Sequence, residues 1–166
     1  MVIETIPIQS VWLLLRLVPG FLLRWYFTRE RLAQLIYIDI RPRYDPVVVD
    51  LGQTANFTLY LQAINLSPFC VELDRASFCF RFGGTTQNAS ILKKQTITPG
   101  EIAMLYISET IPDGHANQMA KQHKDNPVVL DGNIEFNCKV HSFAKTLGHL
   151  DGINPKVYNA QFRTDA

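Results

Sequence analysis

The spacing of apolar positions changes near residue 35, and the change separates two regions of different character. From there onward apolar residues recur at every second position, the period of a strand with one buried face. The stretch "NFTLYLQAIN" (56–65) sets Phe57, Leu59, Leu61 and Ala63 on one side and Thr58, Tyr60 and Gln62 on the other. "LIYIDI" (35–40) and "VVVDL" (47–51) read as strands joined by the connector "RPRYDP". "FCVELDRASFCFRFGG" groups Phe78, Phe80 and Phe82 opposite Ser77, Cys79 and Arg81 and ends at Gly83-Gly84. "SILKKQTITPGEIAMLYISETI" reads as two strands turned by Pro99-Gly100. "VVLDGNIEFNCKV" (128–140) puts Ile134, Phe136, Cys138 and Val140 on one face, and "KVYNAQF" (156–162) is the expected last strand. Only "DGHANQMAKQHK" (113–124) lacks alternation, so a short helix is expected to cross between strands there. About seven or eight strands with turn signals between them predict a mainly β domain over 36–166. The expected form is an antiparallel Greek-key β-sandwich of immunoglobulin or fibronectin III type.

Before residue 36 the pattern is helical and much greasier. "VWLLLRLVPGFLLRWYF" (11–27) is slightly short of the about 20 apolar residues a spanning helix needs, and it carries Arg16 and Arg24. Pro19-Gly20 divides it, since proline disfavours helix at the residue before it and glycine permits a turn. Two helices result, roughly 7–18 and 20–35, forming an N-terminal helical hairpin over 1–35. On the first, Gln9 and Arg16 share a narrow polar stripe among Val11, Trp12, Leu13, Leu14, Leu15, Leu17 and Val18. On the second, Arg24, Thr28 and Arg31 follow i, i+4, i+7 spacing amid Phe21, Leu22, Trp25, Tyr26, Leu32 and Leu35. Aromatic residues beside long basic side chains match an interfacial, monotopic anchor, in which rings sit at headgroup level and arginines reach the polar layer. Packing on the domain or on a partner subunit is the competing explanation of the same pattern.

Composition adds a bias rather than a class. The 166 residues carry a formal net charge of only +1, which does not favour a polyanion such as nucleic acid as partner. Charge is uneven, however: before residue 44 there are six arginines, three acids and no lysine. Under the positive-inside tendency a spanning segment with this distribution would leave the domain in the cytoplasm. Glu4 ahead of the apolar run, and arginines within it, fit a cleavable signal poorly.

Several pieces also follow one another in a familiar order. Asn65-Leu66-Ser67-Pro68 closes an alternating strand, "VELDRASFCFRFGG" pairs a short apolar motif with an aromatic strand and glycine, "ITPGEIAMLYI" places a turn before a long strand, and "LDGNIEF" is a glycine-marked strand. In this order residues 47–158 resemble the water-stress-and-hypersensitive-response (WHy) domain of the group 2 late embryogenesis abundant (LEA) proteins. The chain departs from that pattern where the usual Asn-Pro is split by Leu66 and Ser67, and in its N-terminal helices. The resemblance implies a non-enzymatic β-sandwich with stress-related or membrane-associated roles.

No catalytic constellation stands out. His115, His123, His141 and His149 are scattered, and Cys138 and His141, three apart in a strand, would point to opposite faces, so neither a metal pair nor a nucleophile and base is expected. Cys70, Cys79 and Cys138 are odd in number and read as free thiols. A Cys79–Cys138 disulfide is disfavoured because the two alternate into different environments. Gly83-Gly84 lacks the lysine and helix of a phosphate loop. Asn56, Asn65 and Asn88 begin N-x-S/T sequons, and the first two also have local reasons to be asparagine. The expectation is therefore a protein without cofactor or metal, held to membrane lipid or to other subunits of a membrane complex. Trp12, Arg16, Phe21, Arg24, Trp25, Tyr26, Arg29 and Arg31 would make that contact. A soluble lipid- or hydrophobe-binding sandwich with a helical lid is the alternative.

Overall fold

The computed structural model describes residues 18–40, 45–91, 93–122 and 128–164. Two short helices, α1 (Gly20–Tyr26) and α2 (Arg29–Leu35), lead directly into β1 (Ile36–Ile40). The helix expected over 20–35 is thus broken at Phe27 and Thr28, where the Thr28 hydroxyl accepts from the Arg31 amide and starts α2 afresh. The helix expected over 7–18, with Trp12 and Arg16, lies outside the described residues.

The strands that follow are β2 (Val47–Asp50), β3 (Asn56–Asn65), β4 (Val71–Phe82), β5 (Thr85–Ile91), β6 (Gln95–Ile97) and β7 (Ile102–Thr110). Helix α3 (Asp113–Gln122) crosses to β8 (Val128–Cys138), and β9 (Ser142–Ile153), β10 (Lys156–Tyr158) and the single turn α4 (Gln161–Thr164) complete the chain. They form two five-stranded sheets. In the first, β3 is central: β7 lies along one edge, while β1 and β2 follow each other along the other edge. The Tyr60 amide donates to the Pro46 carbonyl, just ahead of β2, at 2.9 Å. β10 pairs with β2 in parallel, the exception to the antiparallel expectation. In the second sheet the order is β5-β4-β8-β9, with β6 beside the first residues of β4.

The two sheets share one core. Phe57 of β3 stacks on Phe80 of β4 at 4.9 Å between ring centroids, and Phe136 on Phe143 at 5.5 Å. Each buried ring contributes about 1.5–3 kcal/mol. Strand β4 keeps its face in an instructive way. Val71 and Leu73 point inward at odd positions, Ala76, Phe78, Phe80 and Phe82 at even ones, and a register shift between Leu73 and Arg75 absorbs the change. Leu23, Phe27 and Leu32 of the helices belong to this same core.

Candidate functional site

The site is built on α1, and its geometry begins with the sequence Pro19 to Thr28. Pro19 supplies a fixed φ of −53° at the entry to the helix. Within α1 and the following residue, Leu23 and Phe27 are four apart and turn inward, where Phe27 meets Phe69 edge to face at 5.0 Å. That spacing puts Phe21 and Trp25 on the opposite face, with Leu22 and Tyr26 on its flank. Phe21 is 71% exposed and Trp25 79%, with Tyr26 and Leu22 also open to solvent.

The helix is anchored from several sides, so the exposed face is presented rather than loose. The His141 Nε2 donates to the Arg24 carbonyl at 3.3 Å, and Lys145 Nζ donates to the Ala33 carbonyl of α2 at 3.0 Å. Arg31 donates through Nη1 to the Tyr26 carbonyl at 2.8 Å and lies over the Tyr26 ring at 4.9 Å. The Glu30 carboxyl is held below the usual carboxylate range, first by its own backbone amide and then by the Thr28 hydroxyl, with Arg29 and His141 adding to it.

Of the residues singled out in the sequence, Phe21, Arg24, Trp25, Tyr26, Arg29 and Arg31 are all exposed on the α1–α2 segment. Trp12 and Arg16 lie outside the described residues. Sequence reasoning did not find Leu66 or Lys139, which belong to the same end of the molecule. Leu66 donates its amide to the Leu35 carbonyl at 2.8 Å, and Lys139 and Val140 line a concavity of about 360 Å³ with Gly20, Phe21, Leu23 and Arg24. None of the described helices is long and apolar enough to cross a membrane.

Cys138 and His141 do not share a strand: β8 ends at Cys138, whose amide and thiol both donate to the His141 carbonyl across a tight turn. Among the described residues no three of His, Cys, Asp and Glu are grouped as metal ligands. Cys70, Cys79 and Cys138 are free. Asn65 is fully buried with its Nδ2 protons given to Phe69 and Ile97, which leaves no room for a glycan. A shallow trough of about 690 Å³ runs over the outer face of the second sheet past Ser77, Cys79, Asn88, Asp131 and Asn133, where Asp131 is paired with Arg81.

No family model and no curated protein matches the sequence. Among solved structures, the Northeast Structural Genomics Consortium target SoR45 overlays with a TM-score of 0.53 at 11% identity, covering 72% of this chain and 87% of its own. A structure of the ApaA protein from Bordetella pertussis reaches 0.43 at 12% identity over 69% of this chain and 86% of its own. The solution structure of a protein described as late embryogenesis abundant reaches 0.42 at 11% identity over 92% of this chain and 87% of its own. The last two overlays are too loose to carry an argument. The chain is therefore similar to the SoR45 target in its mainly β, two-sheet fold, a likeness that extends to fold alone.

Proposed function

We propose that this is a non-catalytic, membrane-associated structural or interaction protein, held by the α1 face to lipid or to a neighbouring subunit of a membrane complex. On this reading the two sheets are a Greek-key sandwich of the WHy kind, and the α1–α2 segment is its attachment. One observation carries the proposal: Phe21 and Trp25 stand out from a helix whose other face is locked into the core by Leu23 and Phe27. Leaving two large apolar side chains in water forgoes about 1.5–3 kcal/mol each, and a contiguous exposed apolar patch marks an interaction site. Arg24, Arg29 and Arg31 rim the patch, as expected where rings settle at headgroup level. The seven residues of α1 extend only about 10 Å, so this helix by itself would lie on a bilayer rather than cross it.

Flotation of membranes from cells making the full chain tests the reading. The chain should float with membranes, and replacing Phe21 and Trp25 together by serine should release it. Association that survives in cells but is lost with purified chain and lipid would indicate a partner subunit. A freely soluble, monomeric full chain would overturn the proposal.

A further inference from the structure

We infer that the surface met by this end of the molecule is an anionic lipid bilayer, and that contact extends from α1 to the β3–β4 loop and the β8–β9 turn. The inference rests on the membrane reading given above and names its lipid and its orientation. Three separate stretches of chain converge here. Leu66, in the loop after β3, is 52% exposed, and its amide is tied to Leu35 at the end of α2. Lys139, in the turn after β8, is exposed and shares a concavity with Phe21 and Arg24. His141, in the same turn, holds the Arg24 carbonyl. β3 and β8 end at this pole while β4 and β9 begin there, so the strands run away from it. A bilayer touching α1 on that axis would meet Leu66 and Lys139 as well.

Charge selects the lipid. Arg24, Arg29, Arg31 and Lys139 are exposed cations around the apolar tips. Of the acids nearby, Glu30 and Glu101 are kept ionised by hydrogen bonds within their own turns and stay negative, so the four cations outnumber these two carboxylates. These groups leave a positive excess at the pole, and each cation near an anionic surface strengthens binding.

Two native thiols report the orientation. Cys70 is exposed in the β3–β4 loop just beyond Phe69, and Cys79 lies midway along the outer face of the second sheet, opposite Asn88 and Asp131. The full chain is mixed with phosphatidylcholine vesicles, with or without about 30 per cent phosphatidylserine. Sedimentation is then followed together with labelling of each thiol by a water-soluble maleimide. The chain should prefer the anionic vesicles, which should protect Cys70 and leave Cys79 as reactive as in solution. Lys139→Ala should weaken anionic-vesicle binding about fivefold without affecting the neutral vesicles. Leu66→Ser should weaken binding to both. Each of these side chains is exposed, and an unchanged melting temperature confirms the fold of the variants. Binding with Cys70 still reactive, or indifferent to Lys139 and phosphatidylserine, would overturn the end-on anionic contact while leaving the membrane reading intact. No sedimentation with either vesicle would overturn the lipid contact altogether and leave a neighbouring subunit as what the α1 face meets.

Discussion

The Asn65 carboxamide donates to the Ile97 carbonyl at 2.9 Å, joining the end of the first sheet's central strand to β6 of the second across 32 positions of sequence. Its other proton goes to Phe69 at 2.8 Å, and its oxygen accepts from both the amide and the hydroxyl of Ser67. One buried side chain thus shapes the β3–β4 loop and pins it between the sheets. Asn65→Ala takes its donor from the buried Ile97 carbonyl, while the Phe69 carbonyl keeps the Ser67 hydroxyl at 3.2 Å, for a loss of about 1–3 kcal/mol. Urea unfolding should show a midpoint lowered accordingly with an unchanged slope, the signature of lost stability in a structure of the same size.

Gly83 and Gly100 both hold positive φ, at 54° and 78°, yet their surroundings differ. A Cβ on Gly83 would lie 2.8 Å from the Met119 backbone in α3, whereas one on Gly100 meets nothing within 4 Å. Gly100→Ala should cost only the left-handed conformation, about 1–2 kcal/mol. Gly83→Ala adds overpacking against a helix that cannot easily move, about 1–3 kcal/mol more. Thermal melts of the two variants should therefore separate, and equal melting temperatures would show that α3 does not press on the β4–β5 turn.

Legibility in the sequence followed the chemistry of the inward positions. β3 could be read to its ends because all its inward residues before Asn65 are apolar. β5 could not, because its buried Thr85 and Gln87 are polar; the Thr85 hydroxyl donates to Phe82 at 2.9 Å, and the Gln87 carboxamide meets His115. β9 was missed because register shifts along its pairing with β8 break the alternation. The strand expected over 156–162 stops at Tyr158, where Asn159 turns to a φ of 58° before α4. At the candidate site the exposed aromatic residues were visible as composition. Leu66 and Lys139 were not, since each is an ordinary loop residue until the fold sets it beside α1.

Two charged groups should shape the pH dependence of stability from opposite ends. The Glu101 carboxyl is held below its ordinary value of 4.5, chiefly by the Thr98 amide and then by the Thr98 hydroxyl. Its contribution is present above pH 4.5 and is lost as pH falls below that through the depressed value. The Lys94 ammonium is raised above its ordinary 10.5 by hydrogen bonds to Glu72 and then Asp74. It contributes below pH 10.5 and is lost as pH rises through the raised value. Both groups lie at the surface, so the effects are small and weaken further with salt. Glu101→Gln should flatten the acid limb of a melting-temperature profile, and Lys94→Met the alkaline limb, each leaving the other unchanged.

The buried and exposed sides of the α1–α2 segment should respond to mutation in opposite ways. Leu23, Phe27 and Leu32 are buried in the core shared by the sheets, and at about 1.5–3 kcal/mol each they supply about 5–9 kcal/mol. A domain's whole stability is about 5–15 kcal/mol. A chain beginning at Ile36 also loses the Leu66 bond to Leu35 and the Lys145 bond to Ala33, and should give a poorly dispersed amide spectrum and no cooperative melt. Replacing Phe21 and Trp25 by serine removes no core contact and should leave the melt intact while abolishing membrane flotation. Solubility of the shortened chain would then reflect unfolding rather than loss of an anchor, so the serine pair, which separates attachment from folding, is the variant that tests attachment. A cooperative melt from the shortened chain would show instead that the sheets fold without α1 and α2.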